Sequence, residues 1–260
     1  MRQNTIITML SDFGDRDVYV GVMKGVIAQI NPNLSVIDLT HQIPPQDIAA
    51  ARFCLMNAES YFPVGTVHLA VVDPGVGGQR RSLAVEFVNG FLVGPDNGIF
   101  SGVLSQTPAI AAVVLNNPTY WRSQPSNTFH GRDIFAPVAA HLASGIALKQ
   151  LGQEIDPTTL VQLALRECTA SSTGINGCIQ YIDHFGNLIT NIPQSYIRDQ
   201  SWSVEVAGVS IPGHQTYSDM PTGEAIALIG SHGWVEIAIN GGNAELQLKL
   251  KLGDELRVRS

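Results

Sequence analysis

Charge is scarce in this 260-residue chain. Asp, Glu, Lys and Arg together make up only 14%, against roughly a quarter in average soluble proteins. The 15 basic residues are outnumbered by 22 acidic ones, for a formal net charge of -7, so the basic face that a nucleic-acid binder needs is missing. Cysteine is scarce too: Cys54, Cys168 and Cys178 are an odd number without C-x-x-C spacing. That fits reduced structural thiols better than a disulfide frame or a zinc site. No apolar run reaches the ~18 to 20 residues of a membrane span. The opening MRQNTIITMLSDFG passes into a strand-like segment without a signal-peptide pattern. A cytoplasmic protein with no membrane and no nucleic-acid partner is the expectation. A surface this poor in charge also suggests cover by another subunit, and a homo-oligomer is the simplest form of it.

What is present is a change of texture along the chain. Up to about residue 150, short β-branched runs (TIITML, SVIDLT, TVHLAVVD) alternate with amphipathic stretches (VGVMKGVIAQI, DIAAARFCLMNAESYF), the pattern of βαβ units and a mostly parallel sheet. From residue 174 the chain reads as strands and turns with no helix: GINGCIQYIDHFGNLITNI, WSVEVAGVSI, WVEIAI, AELQLKL and DELRVRS. The expected organisation is an α/β domain over residues 1–160 and a smaller, barrel-like all-β domain over 172–260, joined through polar QEIDPTT. Three strand-like runs end in acid or imidazole, at Asp12, at Asp38 and His41, and at Asp73. In open α/β sheets ligands sit beyond the carboxyl ends of strands, so this edge is where chemistry is expected.

Four segments carry candidate chemistry. In SDFGDRDVYVGVMKG, a carboxylate at Asp12 suits the two hydroxyls of a ribose and one at Asp17 suits an ammonium group; a helix cap by Asp12 or Asp15 is the plainer alternative. In VVDPGVGGQRRS, glycines allow close approach of a ligand, but neither a G-x-G-x-x-G nor a P-loop is present. Asp73 and Arg80 bracket that loop; an Arg keeps a neighbouring carboxylate ionised and can polarise a bound water, with Arg81 as a possible substitute and a structural ion pair as the alternative. His130, in NTFHGRDIFAP, stands at a helix entry, where an imidazole can act as base, shuttle or ligand. In YIDHFGNLITN, Asp183, Phe185, Asn187 and Asn191 offer an aromatic face and an amide to a flat base, or simply form a hairpin turn.

Taken together, SDFG-x2-D-x-YVG-x-MKG, VVDPGVG-x2-RR, GPDNG, FHGRD-x-FAP, DHFGN-x2-TN and GSHGWVEIAINGGNA resemble, over essentially the whole chain, the S-adenosyl-L-methionine (SAM) hydroxide adenosyltransferases, relatives of the fluorinases and chlorinases. The resemblance implies hydrolysis of SAM to adenosine and L-methionine by a homotrimer with its ligand at the subunit interface, using neither a metal nor an organic cofactor. It implies a catalytic set at Asp73, Arg80 and His130. Asp12 would hold the ribose, Asp17 and Asp183 the methionine amine, Phe185 and Asn187 the adenine, and Ser231 the methionine end. His232 stands where the halogenating relatives carry an Arg. The alternatives are a SAM-dependent, chlorinase-like halogenase, a non-catalytic SAM or adenosine binder, and a metal-dependent phosphoesterase built on Asp12, Asp38, His41, Asp73 and His130. The stretch from Asp73 to Asn97 lacks the fluorinase insertion and the triad is complete, which favours water over halide as nucleophile.

Overall fold

The computed structural model describes residues 6–172, 174–197 and 201–259, and the chain divides into two compact units, Met1–Leu163 and Ala164–Ser260. In the first, the elements follow in the order β1 (Ile6–Ser11), α1 (Tyr19–Ile30), β2 (Ser35–Thr40), α2 (Ile48–Ala58), β3 (Thr66–Val71), β4 (Ser82–Phe87), β5 (Gly90–Pro95), α3 (Ser101–Gln106), β6 (Ala109–Val114), α4 (Ala136–Ala143) and β7 (Gln153–Ile155). The strands form one sheet in the order β2-β1-β3-β5-β4-β6-β7.

That sheet is mixed, which corrects the expectation of a mostly parallel one. β1 pairs with β2 and β3, and β3 with β5, in parallel, but β4–β5, β4–β6 and β6–β7 are antiparallel. The reason is a short connection: Phe87 pairs directly with Gly90, so only Val88 and Asn89 reverse the chain, and a parallel pair needs a crossover of a dozen or more residues. The parallel half behaves as such strands should, since every residue of β3 is buried. Ile7, Met9, Val67, Leu69 and Val71 share a core with Ile27 of α1 and with Val138 and Leu142 of α4, while the alternate Thr8, Leu10, His68 and Ala70 take the other face. Ser11 of β1 sits opposite Val71 of β3. The parallel register therefore delivers Asp12 and Asp73 to the same edge.

The second unit contains β8 (Thr169–Ser171), β9 (Gly174–Ile182), β10 (Leu188–Pro193), β11 (Ser203–Val206), β12 (Val209–Pro212), β13 (Ala225–Ile229), β14 (Trp234–Ile239), α5 (Ala244–Leu248) and β15 (Glu255–Arg259). The order β12-β11-β15-β9-β10-β14-β13 is antiparallel throughout, with β8 appended to β9. A bridge between Gly213 and Ala227, with the His214 N–H donating to Ala227 O, nearly closes it into a barrel. Its inner residues include Ile179, Leu188, Val204, Ile237 and Val258. The AELQLKL segment, expected as a strand, is instead α5. Asn243 caps its first turn through the Leu246 N–H, and Lys249 ends it in the left-handed conformation, local bonds that outweigh the alternating pattern.

Candidate active site

Two glycine-containing loops at the carboxyl edge of the first unit build the site. The chain leaves β3 at Asp73 and reverses through consecutive turns, with the Val76 N–H donating to Asp73 O and the Gly78 N–H to Gly75 O. It returns at Arg80 with the side-chain stem of Arg80 lying on Gly75. Arg80 then grips Asp73 through two nitrogens: Nε lies 2.9 Å from Oδ1 and 3.1 Å from Oδ2, and Nη2 also donates to Oδ2. Both side chains are nearly buried, at 11% and 6% exposure. Nη1 donates to Ser82 Oγ at 2.7 Å, and the guanidinium lies 5.3 Å from the centre of the Phe135 ring.

The second loop brings His130. Its Nδ1 lies 2.9 Å from Arg80 Nη2. A guanidinium only donates, so Nδ1 accepts and the neutral imidazole carries its proton on Nε2. Burial above all, and then the Arg80 charge, push the His130 pKa below its ordinary value, against a smaller opposite pull from Asp73 and Asp133. The ring is therefore neutral at pH 7. His130 is followed by a π-helical turn, Gly131–Phe135, that runs straight into α4, the kind of wide turn that recurs at functional sites. Asp133, fully buried, pins that turn to the preceding loop by accepting from Arg132 Nε and Nη2, from Arg122 Nη1 and from the Ser126 N–H.

Asp12 and the two loops line one cleft of about 470 Å³, together with Phe13, Tyr19, Gln46, Pro74 and Phe129, a size suited to a single small molecule. Asp12 does not cap α1, whose first turn has no side-chain cap. Its Oδ2 accepts instead from the Gln46 N–H at 2.8 Å, and Gln46 takes a left-handed φ of 67° to make that bond. Phe13, Tyr19 and Phe129 form a three-ring cluster with centroids 5.2 to 5.7 Å apart. Sequence reasoning missed Gln46 and this cluster; F-G after the Asp and T-F-H before the His were the only signals. Asp17 is exposed ahead of α1. Arg81 is not a substitute for Arg80, because it turns away to Asp96 Oδ2 and to Thr159 O, each at 2.6 Å. Among the described residues, no three His, Cys, Asp or Glu side chains are grouped to hold a metal ion.

The other candidates lie in the second unit. Asp183 organises the β9–β10 turn by accepting from the Phe185 and Asn187 N–H groups at 2.8 and 2.9 Å and from Asn187 Nδ2 at 2.9 Å. Gly186, at φ +80°, lies against the Asn243 side chain with no room for a Cβ. That turn presents the Phe185 ring 71% exposed, while Asn187 is buried. Ser231 is exposed on the turn before β14. His232 is committed internally: its Nδ1 accepts from the Trp234 N–H at 3.2 Å and its Nε2 lies 3.2 Å from Glu236 Oε2. This does not favour the ring as a carboxylate anchor. A larger open groove in this unit, about 900 Å³, runs past Arg166, Glu255 and Arg257, but these are already paired, Arg166 with Glu255 and Arg257 with Asn176.

A direct test of the loop packing is Gly77, whose φ is +75° and whose added Cβ would stand 2.5 Å from Asn127 O, on the loop that leads to His130. Gly77→Ala is expected to cost about 1–2 kcal/mol from the backbone conformation alone. It should also lower turnover by parting the two loops. Thermal melting and steady-state kinetics check this; wild-type turnover would contradict it.

Comparison with known proteins shows the family. Residues 7–152 match the SAM hydroxide adenosyltransferase N-terminal domain and residues 177–257 the C-terminal domain of the same family. The chain is 40% identical to a Thermus thermophilus protein named (R)-S-adenosyl-L-methionine hydrolase, over 97% of this chain and 98% of that one. It is 38% identical to a Salinispora arenicola protein of the same name, over 97% of each. An Actinoplanes fluorinase is more distant, at 27% identity over 96% of each chain. The crystal structure of an uncharacterized conserved protein from Thermotoga maritima superposes with a TM-score of 0.92 at 35% identity, covering 98% of this chain and all of that one. With both family domains matched in order and relatives alike over nearly their whole length, the chain belongs to the SAM hydroxide adenosyltransferase family.

Proposed function

We propose that the protein hydrolyses S-adenosyl-L-methionine to adenosine and L-methionine by attack of water on ribose C5′. The observation that carries this is the hydrogen-bonded Asp73–Arg80–His130 cluster, whose Asp73 and His130 line a small-molecule cleft together with Asp12. A sulfonium is already a good leaving group, so the chemistry asks only for a positioned, partly deprotonated water. As the water oxygen bonds to C5′, the C5′–S pair goes to sulfur, giving the neutral thioether of methionine, and the water loses a proton. Positioning alone supplies roughly 7–11 kcal/mol in favourable systems.

The hydrogen bonds divide the roles. At least four of the five Arg80 N–H donors are engaged with Asp73, Ser82 and His130, so Arg80 acts chiefly as the joint that orients the other two. With Nδ1 held by Arg80, neutral His130 can only donate from Nε2, which orients the water through its oxygen. Asp73 is then the proton acceptor. The same proposal assigns the ribose to Asp12, the methionine amine to Asp17 and Asp183, the adenine to Phe185 and Asn187, and the methionine end to Ser231. It includes a cytoplasmic homotrimer that needs neither metal nor cofactor.

The test is chromatography of purified protein incubated with SAM in EDTA, with and without excess chloride. Adenosine plus methionine in both supports the reading; 5′-chloroadenosine or intact SAM overturns it. The pH profile follows from His130. Because its pKa is lowered, the neutral, active ring persists below the usual 6.5, and protonation then removes the acceptor for Arg80. Turnover should hold from pH 8 to pH 6.5 and fall only at lower pH; an acid limb above 6.5 would contradict this.

A further inference from the structure

Beneath the Asp12 loop runs a chain of polar side chains that the proposed reaction does not use. Lys24 Nζ of α1 donates to Asp38 Oδ2 at 2.6 Å. His41 Nε2 lies 3.1 Å from Asp38 Oδ1, close but not aligned for a straight hydrogen bond, and it is buried with no other partner among the described residues. His41 Nδ1 is 2.7 Å from Ser11 Oγ, and Ser11 Oγ accepts from the Phe13 N–H at 3.3 Å. The backbone of His41 holds the same loop from the other side, accepting from the Gly14 N–H at 2.8 Å. The β1–β2 ladder skips a residue at this point, with Met9 opposite Asp38 but Leu10 opposite Thr40. Such irregularities re-aim side chains beside active sites.

The directions of the hydrogen bonds are set by the carboxylate. Burial alone would raise the Asp38 pKa, but Lys24 and His41 outweigh it and hold the group below its ordinary range, so Asp38 is an anion at neutral pH. An anion 3.1 Å from Nε2 requires a proton there. In the neutral ring Nδ1 is then the acceptor, Ser11 donates to it, and the Ser11 lone pairs are left for the Phe13 N–H. Although Ser, His and Asp are the residues of a nucleophilic triad, Ser11 is 1% exposed and cannot reach a substrate.

We propose that Lys24, Asp38, His41 and Ser11 form a positioning relay that fixes the loop presenting Asp12 and Phe13, and thereby sets the affinity for the ribose of substrate and product. This rests on the assignment of Asp12 to the ribose. None of the four is a catalytic residue; they act through the loop. The relay predicts that a change at partly exposed Asp38, which does not line the cleft, is felt by the ligand.

The experiment is calorimetric binding of adenosine to wild type, Asp38→Asn, Ser11→Ala and the double variant, with kcat and KM for SAM alongside. Each single change should weaken adenosine and raise KM together, by about 10-fold, with kcat within about threefold of wild type. The double variant should bind about as well as the weaker single, because two cuts in one relay do not add. Unchanged adenosine affinity in Asp38→Asn, or a double-variant loss equal to the product of the singles, overturns the relay. Should Ser11→Ala fail to fold, the Asp38→Asn result decides alone. Wild-type protein that neither binds adenosine nor turns over SAM overturns the functional reading itself, a different failure from wild-type binding with an unresponsive Asp38.

Discussion

Arg80→Ala is expected to lower kcat by about 10²- to 10⁴-fold while KM for SAM changes little, the range set by losing a positioned proton acceptor and its electrostatic support. Arg80 is the one side chain that touches both other members of the cluster, with two nitrogens on Asp73 and one on His130 Nδ1. Without it, a 6%-exposed carboxylate loses its counter-charge and the imidazole loses the donor that fixes its tautomer. Arg80→Lys should recover little of the loss, since an ammonium is a single point of charge and cannot span Asp73, Ser82 and His130 at once. Because breaking a buried pair also costs about 3–5 kcal/mol of stability, kinetics must be read below the melting temperature of each variant. Asp73→Asn, nearly isosteric, gives an independent reading with the same expected kcat loss. An effect confined to KM in both variants would show that the cluster binds substrate and does not activate water.

Asp133→Ala is expected to lower stability and turnover together. The carboxylate is fully buried and takes bonds from Arg132, Arg122 and the Ser126 N–H. Burial would raise its pKa, but these partners reverse the balance and hold it below the ordinary range. Arg122 and Arg132 are 44% and 30% exposed, so once unpaired they can turn to water. That reduces the usual 3–5 kcal/mol for a broken buried pair to about 2–3 kcal/mol, a melting-temperature drop of roughly 5–10 °C. Turnover should fall as well, because residues 122–130 lose the anchor that sets His130 against Arg80. Arg122→Ala removes only a half-exposed partner and should cost less than about 1 kcal/mol. Equal destabilisation by the two variants, in calorimetric melting, would mean that the carboxylate is not the organising centre.

That Asp12, Asp73, Arg80 and His130 would gather at one edge was legible because strand ends and loops are local features. A run such as TVHLAVVD ends where its apolar pattern ends, and Asp73 and Arg80 are only seven positions apart, within reach of one turn. What stayed hidden depends on pairings across long separations. Nothing local distinguishes Ser11 from other serines until the parallel register sets it beside His41, and nothing in Q-I-P-P-Q-D announces that the Gln46 N–H will be turned onto Asp12. The mixed sheet was missed because VNG between two apolar runs makes a hairpin out of what alternation alone would read as further βαβ units. α5 was misread because AELQLKL alternates like a strand while Asn243 and Lys249 supply helix ends. His232 stands where the halogenating relatives carry an Arg, and its contact with Glu236, four residues on, is a pairing that the sequence did not announce.

The central claim, water attack at C5′ in this site, is tested most directly by running the reaction in ¹⁸O-labelled water and analysing both products by mass spectrometry. One ¹⁸O is expected in the 5′-hydroxyl of adenosine, with unlabelled methionine. Label in a homoserine fragment with methylthioadenosine as the partner product, or adenosine without label, would contradict it.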